Sequence, residues 1–120
     1  MEAETVFWLN YPFGVYDFNG PWRRDVGGIY IMTGLNLQAN LWIAQYIGET
    51  DSYHSRIPSH GMWPLAVQRG ATHVHAMVVE REATRLAIEK ELIQAFHPLL
   101  NTQHRLNWAD LLFPVLGQGR

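Results

Sequence analysis

The sequence predicts an α/β domain of the α+β kind: a small antiparallel or mixed sheet of three strands, flanked by helices and preceded by an aromatic-rich arm. Three observations predict it. Two short apolar runs, Gly28 to Met32 and Trp42 to Gly48, are separated by Thr33-Gly34-Leu35-Asn36 and Gln38-Ala39-Asn40, which are turn-forming or polar residues. Thr72 to Val79 alternates in polarity and is rich in valine, as a half-buried strand is. Glu82 to Phe96 sets Leu86, Ile93 and Phe96 on one helical stripe, with Ile88, Leu92 and Ala95 adjoining it.

Taken in order, residues 1–26 form the arm. Phe7, Trp8, Tyr11, Phe13, Tyr16, Phe18 and Trp22 crowd a stretch that also holds Gly, Pro and Asn. Val6 to Leu9 reads as a short strand and the rest as a loop that packs by its rings. That packing reading competes with a stacking surface for bases or a partner-binding patch. Arg23 and Arg24 follow as candidate phosphate contacts. The two apolar runs over 28–49 then make a hairpin. Glu49 to Ser52 offers N-cap residues for a turn or two of helix through Arg56, which Pro58 stops. A second short helix is expected from Trp63 to Arg69, with Pro64 near its first position and Gly70 just past its end. After the third strand, the long helix runs to about His97, where Pro98 ends it, and Arg85, Lys90, Glu91 and Gln94 fall mostly outside its apolar stripe. A last short helix is expected near Trp108 to Leu112, capped by Asn107, within an extension over 103–120.

A chain of 120 residues with a hydrophobic fraction of 48% is expected to be one packed domain. No apolar run approaches the ~18 residues of a membrane span. The acidic start, Met1-Glu2-Ala3-Glu4, lacks the basic region of a secretory signal, and there is no cysteine for disulfides or thiolate metal sites. These features fit a cytoplasmic protein. The formal net charge of −2 counts against a free-standing nucleic-acid binder that relies on bulk electrostatics, but it leaves room for a local basic patch or for a nuclease delivered by a partner.

Glu89 is the anomaly in the long helix. It lies three residues after Leu86 and four before Ile93, on the apolar side, where a carboxylate is costly unless paired or bound to a cation. The bland alternative is a stripe-edge glutamate that reaches water or pairs with Arg85. Asn101 closes Pro98-Leu99-Leu100-Asn101 and alone signals a turn. Arg56 alone reads as a surface arginine, and Tyr30 and Tyr46 as half-buried strand residues with hydroxyls at the rim. His73 and His75, two apart on the third strand, raise the competing idea of a zinc site with other histidines, although no recognised ligand spacing is present.

Together these residues resemble the GIY-YIG nuclease family. Gly28-Ile29-Tyr30 matches the first signature and Tyr46-Ile47-Gly48 the second. Arg56 follows Gly48 by eight and His60 follows Arg56 by four, and the segment Ile88 to Ile93, with Pro98 and Asn101 beyond it, is similar to the family's glutamate-bearing helix and terminal asparagine. The resemblance covers residues 27–102. Fifteen residues separate Tyr30 from Tyr46, more than is common in the family, so the hairpin is expected to be longer. Pro58 interrupts the step from Arg56 to His60.

The resemblance implies a metal-dependent endonuclease that hydrolyses phosphodiester bonds in DNA. Glu89 would bind Mg²⁺ or Mn²⁺, and Arg56 would hold a nonbridging phosphate oxygen. Tyr30 or His60 would act on the attacking water, with Tyr46 beside them, and Asn101 would orient the site. The substrate is expected to be recognised by shape, including branched or single-stranded DNA, or through a homodimer or a specificity subunit. The alternative is a non-catalytic nucleic-acid or protein-binding module on the same fold.

Overall fold

A computed structural model describes residues 4–101; the expected helix near Trp108 and the rest of the 103–120 extension lie outside them. The elements are β1 (Thr5–Trp8), β2 (Tyr11–Tyr16), β3 (Gly28–Asn36), β4 (Leu41–Thr50), α1 (Tyr53–Arg56), α2 (Trp63–Gln68), β5 (His73–Val78) and α3 (Glu82–Phe96). The fold is α+β, with one antiparallel sheet in the order β1-β2-β5-β3-β4.

The sheet therefore has five strands, not three. The arm supplies the other two: β1 and β2 form a hairpin, and β2 pairs with β5 through Gly14, Val15 and Tyr16. Pro12 and Gly14 argue against a strand in the sequence because proline cannot donate to a ladder and glycine weakens one. Pro12 is tolerated because it faces only β1, opposite Phe7, beyond the stretch that meets β5. The connection is the two-residue turn Leu9-Asn10, with Leu9 at φ 56°, a conformation that leucine rarely signals.

Side chains alternate between two cores. One face of the sheet packs Tyr30, Met32, Tyr46, Val74 and Ala76 against Tyr53, Ile57 and Ala66 from the α1–α2 region. The other packs Ile29, Ile31 and Ile47 with Trp8 and Phe13 against Leu92 of α3. A register shift between Met32 and Thr33 places Tyr46 opposite Met32 and Ala44 opposite Thr33, leaving Gln45 as the extra residue of a bulge. The bulge inverts the alternation, so Tyr46 faces one core while Ala44 and Trp42 face the other. The hairpin turns at residues 37–40, at the far end of the ladder from Tyr30 and Tyr46.

On α3 the buried positions are Arg85 and Leu92, with Ile88, Glu89 and Ile93 half-buried. Leu86, expected on the apolar stripe, is 47% exposed, and Arg85, expected outside it, is buried. The inward face is thus rotated towards Arg85 and Glu89. The reason is an ion pair: Arg85 Nε donates to Glu49 on β4 at 2.9 Å, and its Nη1 donates to the Glu80 carbonyl at 2.9 Å. Among the described residues no helix is long and apolar enough to cross a membrane.

Candidate functional site

Tyr30 and Tyr46 project from β3 and β4 on the same face, their ring centroids 6.3 Å apart. Tyr30 lies opposite Gly48 in the ladder, and a methyl group there would overlap the Tyr30 ring and hydroxyl. The glycine of the second signature is thus the gap into which the first tyrosine fits. Gly28 has a parallel reason: a side chain there would collide with the Met77 carbonyl and the Tyr53 hydroxyl. That hydroxyl contacts the Ile29 carbonyl at 3.0 Å and the Met77 carbonyl at 2.8 Å. Tyr53 opens α1, so its hydroxyl fastens the helix that carries Arg56 to the middle of the sheet.

α1 starts at Ser52, whose hydroxyl accepts from the Ser55 N–H, and ends at Arg56 ahead of Pro58. His60 therefore does not share a helical face with Arg56. It reaches the phenols from the turn after α1, where its N–H donates to the Ile57 carbonyl. The imidazole is buried, with Nε2 2.7 Å from the Tyr30 hydroxyl, and its ring stands edge-on to both tyrosines. Its Nδ1 accepts the Met62 N–H at 3.0 Å, and a backbone N–H can only donate. Nδ1 is thus unprotonated, so in the neutral ring Nε2 carries the hydrogen and donates it to Tyr30, whose own proton points elsewhere.

Burial pushes the Tyr30 phenol well above the usual range, helped by Tyr46 and Glu89; the Arg56 guanidinium opposes the shift by charge and hydrogen bonding. Tyr46 is raised by burial and Glu89, against the same pull from Arg56. Arg56 and Glu89 thus both act electrostatically on the two phenols. Arg56 itself is exposed and Glu89 half-buried, so the cluster faces solvent on the side of the two charged groups. Glu89 also lines an open groove with Lys90, Ile93, Gln94 and His97.

Asn101 acts on the backbone. Its Oδ1 accepts the Ile47 N–H and its Nδ2 donates to the Ile47 carbonyl, both at 2.8 Å. The amide thus completes the outer edge of β4 between Tyr46 and Gly48, as a neighbouring strand would. Arg23 and Arg24 stand apart from the phenol cluster. They are exposed in the loop before β3, by the first turn of α1, where the Arg24 carbonyl accepts from Ser52 Oγ at 2.6 Å.

The sequence reading considered Arg85 only as a partner for Glu89 and did not foresee its ion pair with Glu49. Arg85 lies one turn before Glu89 on α3, and Glu49 follows Gly48 on β4, so their pair ties the start of α3 to β4. The available signal was Arg85 four residues before Glu89 on one helical face. The histidines of β5 serve packing. His75 is fully buried and its Nδ1 accepts the Trp8 indole N–H at 2.9 Å. Its ring is perpendicular to Trp42 at 4.6 Å. His73 Nδ1 is 2.8 Å from the Thr72 hydroxyl. Among the described residues no group of three or more His, Asp or Glu side chains converges as a metal cage.

No protein-family model matches the chain, and neither does any curated protein or any solved structure.

Proposed function

We propose that the chain is a metal-dependent endonuclease of the GIY-YIG type, acting on phosphodiester bonds in DNA in a cytoplasmic setting. What supports this reading is the contact of His60 with Tyr30 beside Tyr46, with the Arg56 and Glu89 charges acting on both phenols. Two strands, a helix end, a turn and a second helix each contribute, and packing alone does not require that chemistry at one place.

The donor set fits Mg²⁺ or Mn²⁺ if Glu89 is the single protein ligand. Mg²⁺ commonly takes one or two carboxylates, keeps several waters and shares phosphate oxygens with its substrate. When bound, the ion would supply Lewis-acid polarisation of the phosphoryl group and stabilise the leaving oxygen. Arg56, exposed and cationic, would hold a nonbridging oxygen through charge-assisted hydrogen bonds. Tyr30 Oη, which accepts a hydrogen bond from His60, can orient the attacking water. If Tyr30 gives up its proton, the His60 N–H and the Arg56 charge both favour the phenolate, which offsets part of the cost of burial. His60 is then the group that positions Tyr30 and not the base, because the Met62 N–H occupies its other nitrogen. Asn101 would hold Tyr46 and Gly48 in register.

Supercoiled plasmid incubated with Mg²⁺ or Mn²⁺ should be nicked, and Glu89→Ala or Arg56→Ala should reduce nicking by orders of magnitude while far-UV circular dichroism stays unchanged. Equal nicking by folded variants would remove the proposal. The burial of both phenols favours a second reading, a binding module on the same fold that keeps the site without turnover. In that case DNA would bind without metal-dependent product. On either reading, a homodimer or a specificity subunit is the proposed source of target choice.

A further inference from the structure

The loop between β2 and β3 builds a second recess, at the opposite end of α1 from Arg56. Tyr16, Pro21, Trp22, Arg23, Val26 and Tyr53 contribute to its lining, and its volume is about 260 Å³. Aromatic rings form much of the wall: Tyr16 and Trp22 have centroids 5.5 Å apart, and Trp22 and Tyr53 5.6 Å apart. Tyr16 is 37% exposed and Arg23 is exposed at the rim.

The recess is preformed. Trp22 Nε1 donates to the Phe18 carbonyl at 2.8 Å, Tyr53 N–H to the Val26 carbonyl at 2.9 Å, and Ser52 Oγ to the Arg24 carbonyl. The Phe18 ring stacks on Trp63 at 4.5 Å with planes 9° apart, which ties the loop to α2. A ligand entering here meets ring faces that are already ordered, so little is lost in arranging them. The Trp22 N–H is already used, so its ring can offer stacking but no hydrogen-bond readout. A flat heteroaromatic group with an attached anion matches both features, the rings and the guanidinium.

We infer that this recess takes one unpaired nucleobase of a DNA strand, with an adjoining phosphate on Arg23. The inference rests on the nuclease reading for the identity of the strand and adds where the neighbouring nucleotide goes. Tyr53 and Arg56 are three residues apart on α1, about 4.5 Å along its axis. The recess and Arg56 thus share one short helix, and on this inference a strand held at Arg56 offers a neighbouring nucleotide to the recess. A paired base cannot enter, so substrates with a single-stranded or unstacked nucleotide beside the cut are preferred over intact duplex.

The test is an abasic scan. Short fluorescent single-stranded oligodeoxynucleotides, each lacking one base, are titrated with the full chain in metal-free buffer. One position should weaken binding by about five- to a hundredfold when its base is missing. Tyr16→Ala should weaken binding of the intact oligonucleotide by a similar factor and abolish the dependence on that position, as expected for coupled groups. Arg23→Ala, an exposed change with little risk to folding, should lower the slope of log binding constant against log salt by about 0.7. A scan that is flat across all positions overturns the inference. The same oligonucleotides with Mg²⁺, alongside Arg56→Ala, separate it from the nuclease reading. Arg56-dependent cleavage with a flat scan removes the recess and leaves the nuclease standing. A position-dependent scan without cleavage leaves the recess and removes the nuclease.

Discussion

Single residues decide the site because several have no slack. His60 is buried and gives its Nε2–H to Tyr30 while Nδ1 takes the Met62 N–H. Tyr30→Phe removes the acceptor and leaves that N–H buried without its partner, which costs roughly 1–3 kcal/mol. Urea denaturation should show that loss, together with loss of nicking; unchanged stability would mean that another acceptor takes up the His60 N–H in the variant. His75 makes a different prediction. It is held neutral by burial and by the neighbouring His73, and its pKa falls from 6.5 to about 4. The unfolded chain therefore binds a proton first as pH drops. The stability linked to His75 is complete above about pH 6.5, declines as pH falls towards 4, and changes no further below that, for a total of about 3 kcal/mol. His75→Leu should flatten this part of the stability–pH curve relative to the wild type. If the two curves stay parallel between pH 6.5 and 4, His75 is not the group responsible.

At the scale of elements, the sequence displayed the parts that repeat and concealed those held by tertiary partners. The hairpin, the short helices around Pro58 and Pro64, and the extent of α3 follow from periodicity and from residues that start or stop an element. The inward face of α3 does not, because a cation at 85 occupies a position that hydrophobic counting assigns to solvent. Its partner Glu49 is distant in sequence, and nothing local links them. The pair is largely desolvated, with side chains 7% and 23% exposed. Arg85→Met alone should cost roughly 2–4 kcal/mol by stranding Glu49, whereas Arg85→Met with Glu49→Leu should recover most of it. Thermal denaturation of both variants checks this, and a double variant no better than the single would assign the cost to the lost carbonyl contacts of Arg85. Asn101 works on the same scale. Asn101→Ala strips both hydrogen bonds from Ile47 on an edge strand and should cost roughly 2 kcal/mol, with amide exchange accelerated at Ile47 and its neighbours.

For the whole molecule, the two signatures were readable because each names a steric requirement: a tyrosine needs a glycine opposite it, and a helix-fastening hydroxyl needs a glycine beneath it. The arm was not readable as sheet, because Pro12, Gly14 and the turn at Leu9 all speak against strands when taken singly. The reading of its rings as a cover for the sheet edge or core holds: Trp8 and Phe13 lie inside the core shared with Leu92, and β2 pairs along the edge of β5. This changes what truncation should do. If residues 1–16 were a detachable interface, their removal would leave a folded, smaller, monomeric core. As part of the sheet, their loss uncovers the ladder edge of β5 and removes the Trp8 indole that donates to His75 Nδ1. Removing the side chains of Trp8 and Phe13 alone corresponds to a cost of about 3–5 kcal/mol each, comparable with the whole stability of a small domain. The truncated chain should therefore be largely unfolded or aggregated by circular dichroism and sedimentation. A cooperative unfolding transition in the truncated protein would instead make the hairpin an accessory to an independently stable three-stranded core.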